Sequence, residues 1–246
     1  MDFSFLDWAT IALCAVIMGA SKSGLPGLSI LAVPLMANVF DTKESTGLLL
    51  GILIIGDIFA IIYHRQNAKW KYIVRLLPAT LCGIVAGYFG MKEITNEQLR
   101  PIIGVIVLLM LGLNYWRMNS KKNEDKNIPA PLWLSFWLGF LAGVTTMMAN
   151  AAGPVMIIYL VAMRLPKMEF VGTAAWFFFI INWIKVPFSA NLGLMNMESI
   201  KVDLLMIPFI FIGAICGYFV LQKIPQRTFN AVAQLLAAAA AIKLLF

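Results

Sequence analysis

The stretch Gly19-Ala-Ser-Lys-Ser-Gly-Leu-Pro-Gly27 interrupts an otherwise apolar run covering residues 5–40. As one helix, that run would extend roughly 54 Å, well beyond a bilayer core of about 30 Å. Within nine residues the interruption places three glycines, two serines, a lysine and a proline. The run therefore reads as two short helical pieces meeting at a break. A second run, residues 132–163, is cut in the same way by Thr145-Thr-Met-Met-Ala-Asn-Ala-Ala-Gly-Pro154. Lipid cannot satisfy the N–H and C=O groups that such a break exposes, so the break must lie inside protein or beside a water-filled cavity.

Outward from the two breaks, residues 45–63, 72–90, 97–116, 170–190, 201–221 and 227–246 are each apolar and long enough to span a bilayer, which takes about 20 residues or as few as ~17. The composition agrees. Of 246 residues 61% are hydrophobic and 13% charged, and the mean hydropathy is +0.85. Soluble chains run about 45–50% apolar with roughly a quarter charged, so this chain lacks the polar side chains to cover a water-facing surface. It is an all-α polytopic membrane protein, which excludes a secreted disulfide scaffold, a coiled coil and a soluble enzyme. Cys14, Cys82 and Cys216 fall inside apolar runs without CxxC spacing and read as small buried hydrophobes. The N-terminus carries two aspartates and no basic segment, so the first run reads as a retained membrane segment rather than a cleaved signal peptide.

The halves repeat. Pro78, Gly83, Gly87, Tyr88 and Phe89 match Pro208, Gly213, Gly217, Tyr218 and Phe219 at an offset of 130. Glu44 and Gly47 match Glu169 and Gly172 at an offset of 125, which sets Asp57 opposite Asn182. A polar linker, residues 117–131, separates a first repeat (1–116) from a second (132–246). If each broken run enters the membrane and returns, every repeat makes an odd number of crossings and the two are inverted. One face then collects Arg65, Lys69, Lys71, Arg75, Arg117, Lys121, Lys122, Lys126, Arg164, Lys167, Lys223 and Arg227, and the other only Lys43, Lys92, Arg100, Lys201 and Lys243. Positive-inside bias makes the first face cytoplasmic, with both termini outside. The net charge of +7 is thus mostly a topology signal and does not indicate nucleic-acid binding.

Paired, Gly/Pro-interrupted segments in corresponding positions point to a transport site. Half-helices starting near Gly27 and Pro154 would aim their N-terminal N–H groups into the membrane interior, a setting suited to an anion. Ser21, Ser23, Thr145, Thr146 and Asn150 add neutral donors there, and Gly24, Gly27 and Gly153 of the two breaks are counted with them as substrate-binding candidates. Lys22, inside the first break, is a cation that an anion would complete; the alternative is a lysine among headgroups. Lys185 is a second candidate cation, although its place in the helix fits interfacial snorkelling better. Asp57, midway along its span, is a candidate coupling group for a proton or sodium ion, with Asn182 opposite, or a partner for Lys22 or Lys185. His64 reads as a solvated loop residue beside Arg65. A single histidine excludes bis-His haem ligation, and no metal or cofactor is expected. Gly83 with Gly87 and Gly213 with Gly217 have the spacing of close helix packing. Trp8, Trp70, Trp116 and Trp133 read as interfacial belt residues.

The GASKSGLPG segment, its counterpart TTMMANAAGP, the paired GYF sequences and the basic linker together resemble the sulfite exporter TauE/SafE family of membrane transporters. The resemblance covers essentially the whole chain. It implies a secondary transporter of a small sulfur-containing anion such as sulfite, thiosulfate or a sulfonate, in a prokaryotic inner membrane. Many members carry a more glycine-rich first break than this chain. An anion channel would use the same residues. An intramembrane hydrolase with Ser21 activated by Lys22 is disfavoured, because adjacent helical residues point about 100° apart. No Walker A sequence is present, which disfavours primary ATP-driven transport by this chain alone.

Overall fold

The computed structural model describes residues 4–36, 42–93 and 132–245, together with Thr95, Gln98, Val105 and Leu108. Every described element is helical. The first half contains α1 (Phe5–Ser23), α2 (Ser29–Met36), α3 (Thr42–His64), a short turn (Arg65–Asn67) and α4 (Trp70–Glu93). The second contains α5 (Leu132–Ala149), α6 (Ala152–Ala162), α7 (Lys167–Asn191), α8 (Met197–Leu205), α9 (Ile207–Lys223) and α10 (Gln226–Leu245). Five described helices are long and apolar enough to cross a membrane, or six if the bent pair α8–α9 is one span. The expected span over 97–116 and the linker over 117–131 lie almost wholly outside the described residues.

Both breaks fall where their residue types place them, but the helices around them start elsewhere than expected. The first half-helix begins at Ser29 rather than Gly27, and the second at Ala152, ahead of Pro154. Proline in a helix's first turn forfeits only an N–H that has no intrahelical partner. Gly27 has φ 96° and Asn150 φ 52°, left-handed conformations that glycine adopts freely and asparagine tolerates best among the rest. The segment 201–221, expected as one span, is instead bent by 49° between α8 and α9. Pro208 has no N–H to return to the Leu204 carbonyl, and the chain tightens just before it, with Met206 N–H shared between the Val202 and Asp203 carbonyls.

Glycine contacts define how the halves meet. A Cβ on Gly19 would run into the Ile210 carbonyl and the Ala214 nitrogen, and one on Gly143 into the Thr80 carbonyl and the Ile84 nitrogen. Gly213 lies on the Val16 carbonyl and Gly83 on the Phe140 carbonyl; Gly217 lies on Ala20 and Gly87 on Val144. These are the same contacts made twice, with α1 and α5 exchanged at an offset of 124 (Val16 to Phe140, Gly19 to Gly143, Ala20 to Val144) and α4 and α9 exchanged at 130. The packing role expected for these glycines therefore holds. Gly47, early in α3, abuts Leu194 just past α7, while Gly172, early in α7, abuts His64 and Asn67 at the end of α3. Thus α3 and α7 run antiparallel, start against end.

The core lies between these pairs. Tyr159, Phe170 and Phe177 fill it in the second half, and Ile11, Met18 and Leu49 in the first. Large apolar side chains also cover the outside: the equivalent residues Phe89 and Phe219 are 60% and 55% exposed. Such a surface suits lipid. Trp70 and Trp133 are exposed, while Trp8 packs against the first-half core. Cys14 is buried, but Cys82 and Cys216, expected inside, stand exposed on the outer faces of α4 and α9, where a thiol costs little against hydrocarbon.

Candidate functional site

The two breaks meet. Among the described residues, the nearest atom from another element to the Cβ position of Gly153, in the first turn of α6, is the Ser29 hydroxyl at 3.7 Å, so the starts of α2 and α6 adjoin. Between them is a cavity of about 40 Å³, roughly three times what one water requires. Ser21, Lys22, Gly27, Ser29, Thr146, Asn150, Gly153, Phe178 and Asn182 all border it.

Break one is held by charge. The Lys22 ammonium lies 2.7 Å from Asp57 Oδ1, and the carboxylate is fully buried. Asn182 Nδ2 donates to Asp57 Oδ2 at 2.7 Å. The two residues that the sequence offset sets opposite each other are therefore in direct contact. Lys22 also sits 4.2 Å above the Phe178 ring, a cation–π contact that gains strength when desolvated. Ser29 N–H, at the start of α2, donates to Ser21 Oγ at 3.0 Å.

Break two is held by neutral groups. Lys185 Nζ donates to Thr146 Oγ1 at 3.2 Å and to Asn150 Oδ1 at 2.5 Å. Asn150 Nδ2 in turn donates to the Thr46 carbonyl at 2.9 Å, tying the break to α3. No side chain caps the start of α6, so first-turn N–H groups remain available beside the cavity.

Several sequence expectations change. Lys185 is not a snorkelling interfacial lysine: it is 1% exposed, because Thr146 and Asn150 supply acceptors deep in the protein. His64 is not a solvated loop residue but the fully buried last residue of α3. Its Nε2 lies 2.8 Å from the Ser23 carbonyl, where it caps the end of α1, and its ring packs on Tyr218. Ser23 and Gly24 are buried against neighbouring helices rather than lining the cavity, with Gly24 pressed on Gly217. Thr145 Oγ1 donates back to the Ala142 carbonyl within its own helix. The Ser21–Lys22 pair is not arranged for nucleophilic chemistry, since Lys22 faces Asp57 and Ser21 receives Ser29 N–H.

Phe178, Ser29 and His64 were missed as site or supporting residues. For Phe178 a signal existed: Phe178, Asn182 and Lys185 follow a spacing of four and three residues, one face of α7. Ser29 and His64 act through backbone groups of the first break, and no spacing rule connects them to it.

Among the comparisons with known proteins, the family model described as Sulfite exporter TauE/SafE matches residues 11–244, nearly the whole chain. No curated protein and no solved structure matches it.

Proposed function

Because this chain belongs to the sulfite exporter TauE/SafE family, a family of membrane transporters, we propose that it is a secondary transporter that moves a small, sulfur-containing anion by alternating access, with the cavity between the two breaks as its binding site. The observation that carries this reading is the charge around that cavity. Two buried ammonium groups, Lys22 and Lys185, stand with one carboxylate, Asp57. Among the described residues, the partners of Lys185 are neutral oxygens. An uncompensated cation in a low-dielectric interior is costly, and an anion between Lys22, Lys185 and the N–H groups at the start of α6 offsets that cost.

Thr146 and Asn150 line the cavity with Lys185 donating to them from behind, Ser21 and Ser29 complete the opposite wall, and Gly27 and Gly153 leave room at the backbone. Asp57 with Asn182 forms the coupling pair, for a proton or a sodium ion. The exchanged glycine contacts and the antiparallel α3 and α7 favour two inverted repeats, residues 1–116 and 132–246, joined by a cytoplasmic linker over 117–131. In that arrangement both termini lie outside the cytoplasm of a prokaryotic inner membrane, and rocking of one repeat against the other opens the site alternately.

Purified protein in liposomes tests the reading. Saturable sulfite or thiosulfate flux with counterflow is expected. Flux that does not saturate, at a conductance far above carrier turnover, would replace the carrier with an anion channel. Thermal stabilisation by the transported anion, and not by carboxylate analogues, identifies the ligand class.

A further inference from the structure

Resting on the anion-carrier reading, we propose that Asp57 carries one proton with each anion, because the event that neutralises its carboxylate is the one that frees Lys22 to hold the substrate. The geometry makes the two partners of Lys22 exclusive. Its ammonium is 2.7 Å from Asp57 Oδ1 and also borders the cavity. When an anion in the cavity draws Lys22 away, Asp57 is left buried, without exposure, and with only Asn182 donating to it. A lone buried carboxylate does not stay charged; it takes a proton. Conversely, a proton on Asp57 leaves Lys22 at the cavity without its counter-charge, with Lys185 behind Thr146 and Asn150 of the cavity wall. Each ligand raises the protein's affinity for the other, and linkage requires the effect to be reciprocal.

A sodium ion fits the same place poorly. Hard cations need several oxygen ligands, but both Asp57 oxygens face N–H donors, from Lys22 and Asn182. Carbonyls at the breaks are engaged as well: Ala20 O accepts from Gly24 and Leu25, Ser23 O from His64, Thr146 O from Asn150 and Thr46 O from the Asn150 side chain. No group of three or more His, Cys, Asp or Glu residues is gathered among the described residues. The groups facing Asp57 are Lys22 of α1 and Asn182 and Lys185 of α7. On α3 itself, His64 is two turns further along, and Asp203 of α8 approaches α3 at Gly51, nearly two turns back.

Thiosulfate, whose charge is constant between pH 5 and pH 8, is the probe. The protein is reconstituted in liposomes with the membrane potential clamped at zero. With one proton per anion, a gradient of one pH unit, acid outside, should accumulate thiosulfate about tenfold and acidify the lumen as reported by an entrapped dye. A sodium gradient at equal pH should do nothing. In detergent, thiosulfate affinity should fall about tenfold per pH unit above the titration of Asp57, and this slope should be absent in Asp57→Asn. If neither sulfite nor thiosulfate shows saturable flux, the carrier reading and the proton both fall. If flux is saturable but follows sodium, or ignores the pH gradient, the proton assignment alone falls. The wild-type gradients decide even where Asp57→Asn does not fold.

Discussion

The two breaks share one packing scheme and differ in chemistry. Gly19 of α1 and Gly143 of α5 each lie against a carbonyl and an amide of the other half's helix, in the same register. Yet the first break ends on Lys22, ion-paired to Asp57, while the position equivalent by the 124 offset is Thr146, a hydrogen-bond acceptor for Lys185. The halves share one packing scaffold, yet one break holds a balanced charge and the other lies beside a lysine whose hydrogen-bond partners are neutral. The packing tolerates no change on either side, whereas the charges are free to differ because each is local to its own break. For the carrier proposed above, this separation would supply matched halves to move against one another and one asymmetric site to recognise cargo.

Breaking the charged side of the comparison has the largest expected effect. Lys22→Ala leaves Asp57 buried without its ammonium, a change that costs about 3–5 kcal/mol, and transport should fall by at least about 100-fold. Chemical denaturation and liposome flux measure the two. Adding Asp57→Asn to Lys22→Met should restore most of the stability and none of the transport, since a neutral pair packs without recruiting an anion. Recovery of flux in that double variant would remove Lys22 from the site.

The shared packing comes next. Gly19→Leu and Gly143→Leu drive side chains into backbone that cannot move aside, and overpacking costs about 1–3 kcal/mol. The two losses should be equal within about 0.5 kcal/mol. A large difference in thermal stability between them would mean that the halves are not equivalent scaffolds. On the neutral side, Asn150→Asp supplies Lys185 with a carboxylate and gives break two the chemistry of break one. The site loses its surplus positive charge, and anion affinity should drop by about tenfold or more. Lys185→Met should lose affinity to a similar degree with stability within about 1 kcal/mol of wild type, because its hydrogen-bond partners are neutral and Asp57 keeps the Lys22 ammonium.

Much of this was legible in the sequence. The breaks announced themselves through Gly, Pro and Ser inside apolar runs, and the GYF repeat located the helices that pack on them. Offset arithmetic alone set Asp57 against Asn182. What the sequence did not yield follows from how side chains find partners across the chain. Lys185 looked interfacial because position along a helix says nothing of acceptors on another helix, and Thr146 and Asn150 are 39 and 35 residues away. His64 sat among loop residues at the end of a span, and only folding carried it to the Ser23 carbonyl, 41 residues away. The bend before Pro208 went unread because Pro78, its repeat counterpart, lies within an α4 that remains one element. Proline removes a hydrogen bond in both places, and the surrounding packing decides whether the helix parts.

The smallest expected effect separates backbone from side chain at break two. Asn150 holds a left-handed turn, φ 52°, and bridges Lys185 to the Thr46 carbonyl. Glycine and alanine both delete the bridge, at about 0.6–1.7 kcal/mol for each interhelical hydrogen bond in a membrane protein. Only alanine also meets the steric penalty of the left-handed region, about 1 kcal/mol. Asn150→Ala should therefore be the less stable by about that amount, and flux should fall alike in both, because the anion senses Lys185 rather than the turn. If Asn150→Gly transports as wild type does, the bridge is dispensable, and break two contributes shape to the site while break one contributes the recognition.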